Sequence, residues 1–165
     1  MTTNLRSAAT SRRTAVAVLI AWLLAGTLDI TAAILYYVGL SSTRAARLLQ
    51  GIASGVLGAS AFDGGVATAL LGLLLHYLIA LIWTLVLLVA LRTIGALRRH
   101  LVVLGIVYGI IVWSVMNLIV LPLSNVSRAP FQPRAAAIAA FILILCVGLP
   151  ISLVIGRHVR GESAE

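Results

Sequence analysis

The chain contains no lysine, one cysteine, and only four acidic residues in 165. A single cysteine, Cys146, cannot form an intramolecular disulfide, so cysteine usage says nothing about redox compartment. With so few acids the twelve basic residues, all arginine, leave a net charge of +8 and a pI near 11.3. That balance could suit a nucleic-acid partner, but the arginines sit at the ends of apolar runs rather than along one face of a soluble helix. Nucleic acid is therefore not an expected partner. There is no glycine-rich phosphate loop, no pair of carboxylates placed for acid–base work, and no serine or cysteine nucleophile with a base at hand, so an enzyme is not expected. Only one histidine, His76, falls inside an apolar run, so a haem held by two axial histidines is not expected. No cofactor or metal site is expected.

Hydrophobic residues fill the space these absences leave. They make up 62% of the chain, and charged residues only 10%, well outside the usual balance of a soluble domain. Crossing about 30 Å of hydrocarbon takes about 20 apolar residues, and four runs reach that length: 14–38, 66–91, 101–121 and 135–155. The longest, beginning at Gly65, carries no charge until Arg92. The spacing predicts an all-α polytopic membrane protein with four transmembrane helices in a bundle, a single domain over 14–156 whose partner is the lipid bilayer. Residues 1–13 read as a disordered basic arm and 157–165 as a polar cytoplasmic tail. Arg6, Arg12 and Arg13 resemble the basic start of a signal peptide, but the run after them is too long and lacks a cleavage site. It reads as an uncleaved first span.

Between the first two spans the pattern changes. Ser41, Ser42 and Thr43 are N-cap types, and Ala45, Leu48, Leu49, Ile52 and Val56 then recur at helical spacing. A helix over 43–57 would be about 22 Å long at 1.5 Å per residue, too short to cross. It is expected to lie in the interface or to dip in and return. Gly51 and Gly55 form a GxxxG within it, and Gly105 and Gly109 form a second in the third run, both suited to close helix packing. The third run stops at Pro122, and the loop after it holds Pro130 and Pro133. Asn125–Ser127 matches a glycosylation sequon.

Arginine counting sets the orientation. With a cytoplasmic N-terminus, eight arginines fall inside (6, 12, 13, 92, 98, 99, 157, 160) and four outside (44, 47, 128, 134), and both termini are cytoplasmic. Tyr36 and Tyr37 then fit an outer aromatic belt.

Four stretches, GTLDITAA, LLQGIASGVLGASAF, LLGLLLHYLIA and VMNLIVLPLS, resemble a family of small, functionally uncharacterised four-helix bacterial inner-membrane proteins. The likeness runs from about Gly26 to Arg157. It implies a multi-pass bacterial inner-membrane location and supplies no activity and no catalytic residue.

An intramembrane polar cluster is the candidate site. A carboxylate at mid-span costs about 2.5–3.5 kcal/mol on insertion scales, so Asp29, on a stripe with Trp22, Ala25, Gly26, Ala32, Ala33 and Tyr36, should face protein. Asp29 lies about 14 Å below the outer end of its helix and His76 about 16 Å down the next, antiparallel one. The two are level and could pair. Pro150 has no N–H, so the Cys146 carbonyl four residues earlier loses its helical partner at similar depth. Asn117 is an interhelical hydrogen-bonder near the outer end of its span. Two readings follow: a structural or accessory protein acting through helix packing, as a homo-oligomer, or a small oligomeric transporter or proton-linked permease using Asp29 and His76, its small-molecule ligand unspecified. A site of the second kind must open onto a cavity, whereas a clasp should be fully packed.

Overall fold

The computed structural model describes residues 2–41, 44–126 and 132–162, and among these there is no strand. Four helices are long and apolar enough to cross a membrane, their spans being Ser11–Tyr37, Gly65–Thr93, Leu101–Leu123 and Pro133–Glu162. The first belongs to a helix that runs Thr2–Ser41, here α1. A short helix, α2, covers Ala45–Leu57. The other spans are α3 (Gly65–Thr93), α4 (Leu101–Leu123) and α5 (Pro133–Glu162). Many large apolar side chains on their outer faces, such as Leu19, Leu35, Leu70, Leu74 and Val103, are exposed, as lipid-facing residues should be.

Three boundaries differ from those the run lengths gave. Residues 2–13 continue α1 as helix instead of forming an arm. The third span passes through Pro122 to Leu123. The polar tail is helical through Glu162, and Val159 within it is 2% exposed in the core. The N-cap candidates Ser42 and Thr43, and the sequon residue Ser127, lie outside the described residues. The residue before α2 is Arg44, which makes no side-chain cap.

The fourth span is the hub. It packs against α1, α3 and α4, while α4 meets mainly α5 and α1 also meets α3. One continuous core forms where α1 starts and α5 ends, from Ala17, Ala21, Ala25, Leu87, Leu91, Val112, Ile151, Ile155 and Val159 among others. Glycines let α4 and α5 approach backbone to backbone. A Cβ on Gly148 would collide with the Gly105 carbonyl oxygen, and one on Gly109 would lie 2.5 Å from Ile144 Cα. Ser152, fully buried, seals the same seam by donating to the Leu101 carbonyl at 3.0 Å.

Both α4 and α5 contain a widened turn before a proline. Met116–Val120 is π-helical, with the Leu121 N–H reaching Met116 O, and Pro122 follows. Ile144–Gly148 is π-helical, with the Leu149 N–H reaching Ile144 O, and Pro150 follows. Proline removes a donor and crowds the carbonyl four residues back, and a π turn relieves that crowding without ending the helix.

At the end opposite the core, α2 lies against α3. Its tightest point is Gly72, where a Cβ would strike the Leu49 carbonyl. Gln50 donates from Nε2 to Gly65 O at 2.9 Å, and the Asn125 backbone and side-chain N–H groups cap Gly55 O and Val56 O, both at 3.1 Å. Thirteen residues give α2 a length of only about 20 Å, too short to span.

Where the core ends, a polar cluster ties three helices together. Glu162 accepts from Thr14 Oγ1 at 2.9 Å and from Arg92 Nη2 at 3.1 Å, and lies 3.1 Å from His158 Nε2. Arg98 donates to the Leu91 carbonyl at 2.8 Å, satisfying the open end of α3, and Arg160 holds the carbonyls of Arg98 and Arg99.

Candidate functional site

Away from the core the spans part around a cavity of about 360 Å³. All five helices reach it: Asp29 and Ala33 from α1, Leu48 and Ile52 from α2, His76 and Trp83 from α3, Trp113 and Asn117 from α4, and Ala139 and Leu143 from α5. Asp29 therefore does face protein, on the small-residue stripe that includes Ala25 and Gly26.

The pairing expected of Asp29 and His76 is replaced by another contact. His76 Nε2 lies 2.8 Å from the Gly26 carbonyl oxygen. An oxygen acceptor fixes the proton on Nε2, so the ring donates to α1 one turn before Asp29. Gly26 is needed here, because a Cβ on it would stand 2.8 Å from the Tyr77 ring. Trp22 Nε1 donates to Tyr77 O at 2.7 Å, and the Thr27 and Tyr77 hydroxyls meet at 2.9 Å. These bonds fix the α1–α3 joint and set His76 edge-on to Tyr77, with ring centroids 5.5 Å apart.

Asp29 is left half-buried in the cavity wall. Among the described residues no hydrogen bond or ion pair reaches its carboxylate. His76 and Cys146 are within coulombic range of it. Depth counting thus placed His76 at the correct level, but the helix rotation gives its donor to a carbonyl.

Asn117 sits in the π turn of α4 and lines the cavity. Its Nδ2 donates to Trp113 O at 2.8 Å, within its own helix, so it is not the interhelical bonder expected. Cys146, half-buried, and Pro150 belong to the same stretch of α5 but do not line the cavity. Of the four GxxxG glycines, Gly105 and Gly109 make the tight α4–α5 seam. Gly51 has nothing within 4 Å of an added Cβ, and Gly55 makes only ordinary contacts, at 3.8 Å, with Ser124 and Val126. Gly72 and Gly148 carry contacts that GxxxG spacing does not flag.

Aromatic side chains make up much of the wall: Tyr36, Tyr37, Trp83 and Trp113. Tyr36 and Tyr37 stack edge to face at 5.1 Å at the α2 end. Trp83 meets Tyr108 at 5.9 Å, and the Tyr108 hydroxyl donates to Trp83 O at 2.5 Å. The buried Trp113 Nε1–H has no partner among the described residues. A second cavity of about 480 Å³, under α2, adjoins the first and shares Tyr37, Leu48, Ile52, Ile79, Met116 and Leu121 with it. Among the described residues no group of three or more His, Cys, Asp and Glu side chains could hold a metal ion.

The arrangement offers a carboxylate with no hydrogen-bond partner among the described residues, a histidine bonded to a carbonyl and an aromatic wall, in the half of the bundle away from the hydrophobic core. It presents a carboxyl group and aromatic faces to the cavity space. No family model matches the chain, and no curated protein or solved structure matches it.

Proposed function

We propose that this chain is a bacterial inner-membrane carrier or permease that binds a small solute at Asp29 in the cavity lined by all five helices. The single observation that carries this reading is the Asp29 carboxylate, which faces a cavity of about 360 Å³ instead of a partner side chain. A structural clasp would be closed and internally satisfied. An unpaired intramembrane carboxylate is costly and marks a ligand or ion path, and cavities of about 300–1,000 Å³ are the usual size for small-molecule sites. His76 positions the joint beside it. No catalytic role is assigned to either residue.

Orientation follows the arginine bias, with both termini in the cytoplasm and α2 on the periplasmic side, so the Asp29 cavity lies toward the periplasm. Four spans are few for a carrier, so a homo-oligomer encloses the complete path. The competing reading, a packing or accessory protein, drew support from the glycine motifs, and Gly105 and Gly109 are spent inside the chain on α5.

Thiol labelling tests the proposal. In a Cys146→Ala background, cysteines at Ala33 and Ala139 line the cavity, while one at Leu24, 42% exposed, faces lipid. A small membrane-impermeant reagent should modify the first two and spare the third. Absence of reaction at both cavity positions from either side of the membrane overturns the reading.

A further inference from the structure

We propose that the ligand of the Asp29 cavity is an organic cation, an ammonium head on an apolar body; this assignment rests on the cavity-binding reading above. Charge comes first. Among the described residues Asp29 is the one acidic side chain lining the cavity, and no arginine lines it. In a chain of net charge +8, the site has been kept clear of the abundant sign. The one basic ring there, His76, spends its Nε2 proton on Gly26 O at 2.8 Å. A desolvated carboxylate without a partner is costly, and a cation brought against it relieves that cost. An anion would be repelled by the Asp29 carboxylate.

The wall then selects among cations. A bare metal ion wants six or more oxygen ligands, or a cluster of His, Cys and carboxylate groups. No such cluster exists among the described residues. Tyr36, Tyr37, Trp83 and Trp113 line the cavity instead, and aromatic faces attract ammonium groups, most strongly where water is excluded. Volume fits the same answer. About 360 Å³ is the share of roughly a dozen waters at about 30 Å³ each, room enough for a substituted ammonium.

The adjoining cavity under α2 supplies the place for the body. Its walls are almost wholly apolar, with Leu48, Ile52, Leu75, Ile79, Val120 and Leu121 among them and no charged residue among the described ones. A ligand with its head at Asp29 and its tail toward α2 fills both cavities and leaves no second charge buried.

Three aromatic probes of similar shape test the assignment on the full-length protein in micelles. They are benzyltrimethylammonium, its uncharged carbon analogue neopentylbenzene, and benzenesulfonate, followed by the thermal midpoint and by tryptophan emission. The cation should raise the midpoint and shift the emission, and the other two should do neither. Asp29→Asn should weaken the cation at least about tenfold, and Asp29→Glu should restore most of the affinity. Ala139→Phe, which fills the cavity from α5 and leaves the carboxylate in place, should also weaken it, so the test survives misfolding of the Asn variant. Equal binding of the uncharged analogue, or full affinity in a folded Asp29→Asn protein, overturns the assignment. Failure of all three probes also overturns it, while labelling at positions 33 and 139 would still sustain the cavity itself. Failure of that labelling removes the underlying reading instead.

Discussion

Replacing Gly148 by alanine adds one methyl group at the point where two helices touch through their backbones. The new Cβ would overlap the Gly105 carbonyl oxygen and stand 2.8 Å from Gly109 N and 3.0 Å from Gly109 Cα. None of these atoms belongs to a side chain that could rotate away, so α4 and α5 must separate. Restoring a spacing of about 3.5 Å means a shift of more than about 1 Å, and a gap of that size elsewhere along the seam forfeits a quarter to a half of each contact. The separation also strains the bond from Ser152 to Leu101 O, now 3.0 Å. In lipid no hydrophobic gain offsets lost packing, because the tails are as apolar as the side chains. Overpacking costs typically about 1–3 kcal/mol, and with backbone on both sides the upper end applies, about 3 kcal/mol. Equilibrium unfolding in mixed micelles, followed by circular dichroism, measures it. Gly51→Ala is the control: nothing lies within 4 Å of its added Cβ, and removing a helix-interior glycine should stabilise by about 0.5–1 kcal/mol. If Gly148→Ala unfolds within about 0.5 kcal/mol of the parent, an ordinary surface effect, the close α4–α5 seam is refuted.

Other outcomes are expected at separate places. His76→Ala removes the bond to Gly26 O and should cost about 1 kcal/mol; a His76→Gln variant that still donates should recover part of it in the same unfolding assay. Gly72→Ala should detach α2 from α3 and raise proteolysis around Gly58 and Asp63, with no change if α2 is held from elsewhere. Truncation after Arg157 deletes buried Val159 and the Arg160 caps on Arg98 and Arg99, and should lower the midpoint clearly. Glu162→Gln alone should cost no more than about 1 kcal/mol because its ion pair with Arg92 is partly exposed. Reporter fusions after Arg99 and after Glu165 should both report cytoplasm, and a periplasmic signal from either would reverse the proposed orientation.

The four spans were legible because hydropathy reads contact with lipid, and runs such as 66–91 offer nothing else. The short helix between spans 1 and 2 was legible because Leu48, Leu49 and Ile52 sit at helical spacing in a segment too short to cross. Depth was also legible, since a rise of about 1.5 Å per residue brings Asp29 and His76 to one level. Rotation was not. The small-residue stripe turned Asp29 inward, but a helix apolar all round, like the one carrying His76, has no periodicity to say which face turns inward, so the bond from His76 to Gly26 was out of reach. Glycine spacing marked Gly105 and Gly109 but not Gly148 opposite them, because a seam between distant segments has no local signature. Residues 2–13 and 157–162 look polar and loop-like, yet both are helical, and Thr14, Arg92, His158 and Glu162 satisfy one another only once three helix ends meet.

The two π turns are changes of phase. A regular helix advances about 100° per residue, so a turn widened by one residue resets by about that angle which side chains face the bundle. In α5 the reset falls in Ile144–Gly148. It lets Ala139 and Leu143 look into the cavity on one side of the turn while Ile151 and Ile155 fill the core on the other. In α4 the same device stands between Val112 and Trp113 before the turn and Leu121 after it, and keeps both sides at the cavity wall. Deleting one residue from either turn would therefore leave the length and hydropathy of the span nearly unchanged. It would swing one half of the helix out of step with the other, and either the core or the cavity would lose its lining.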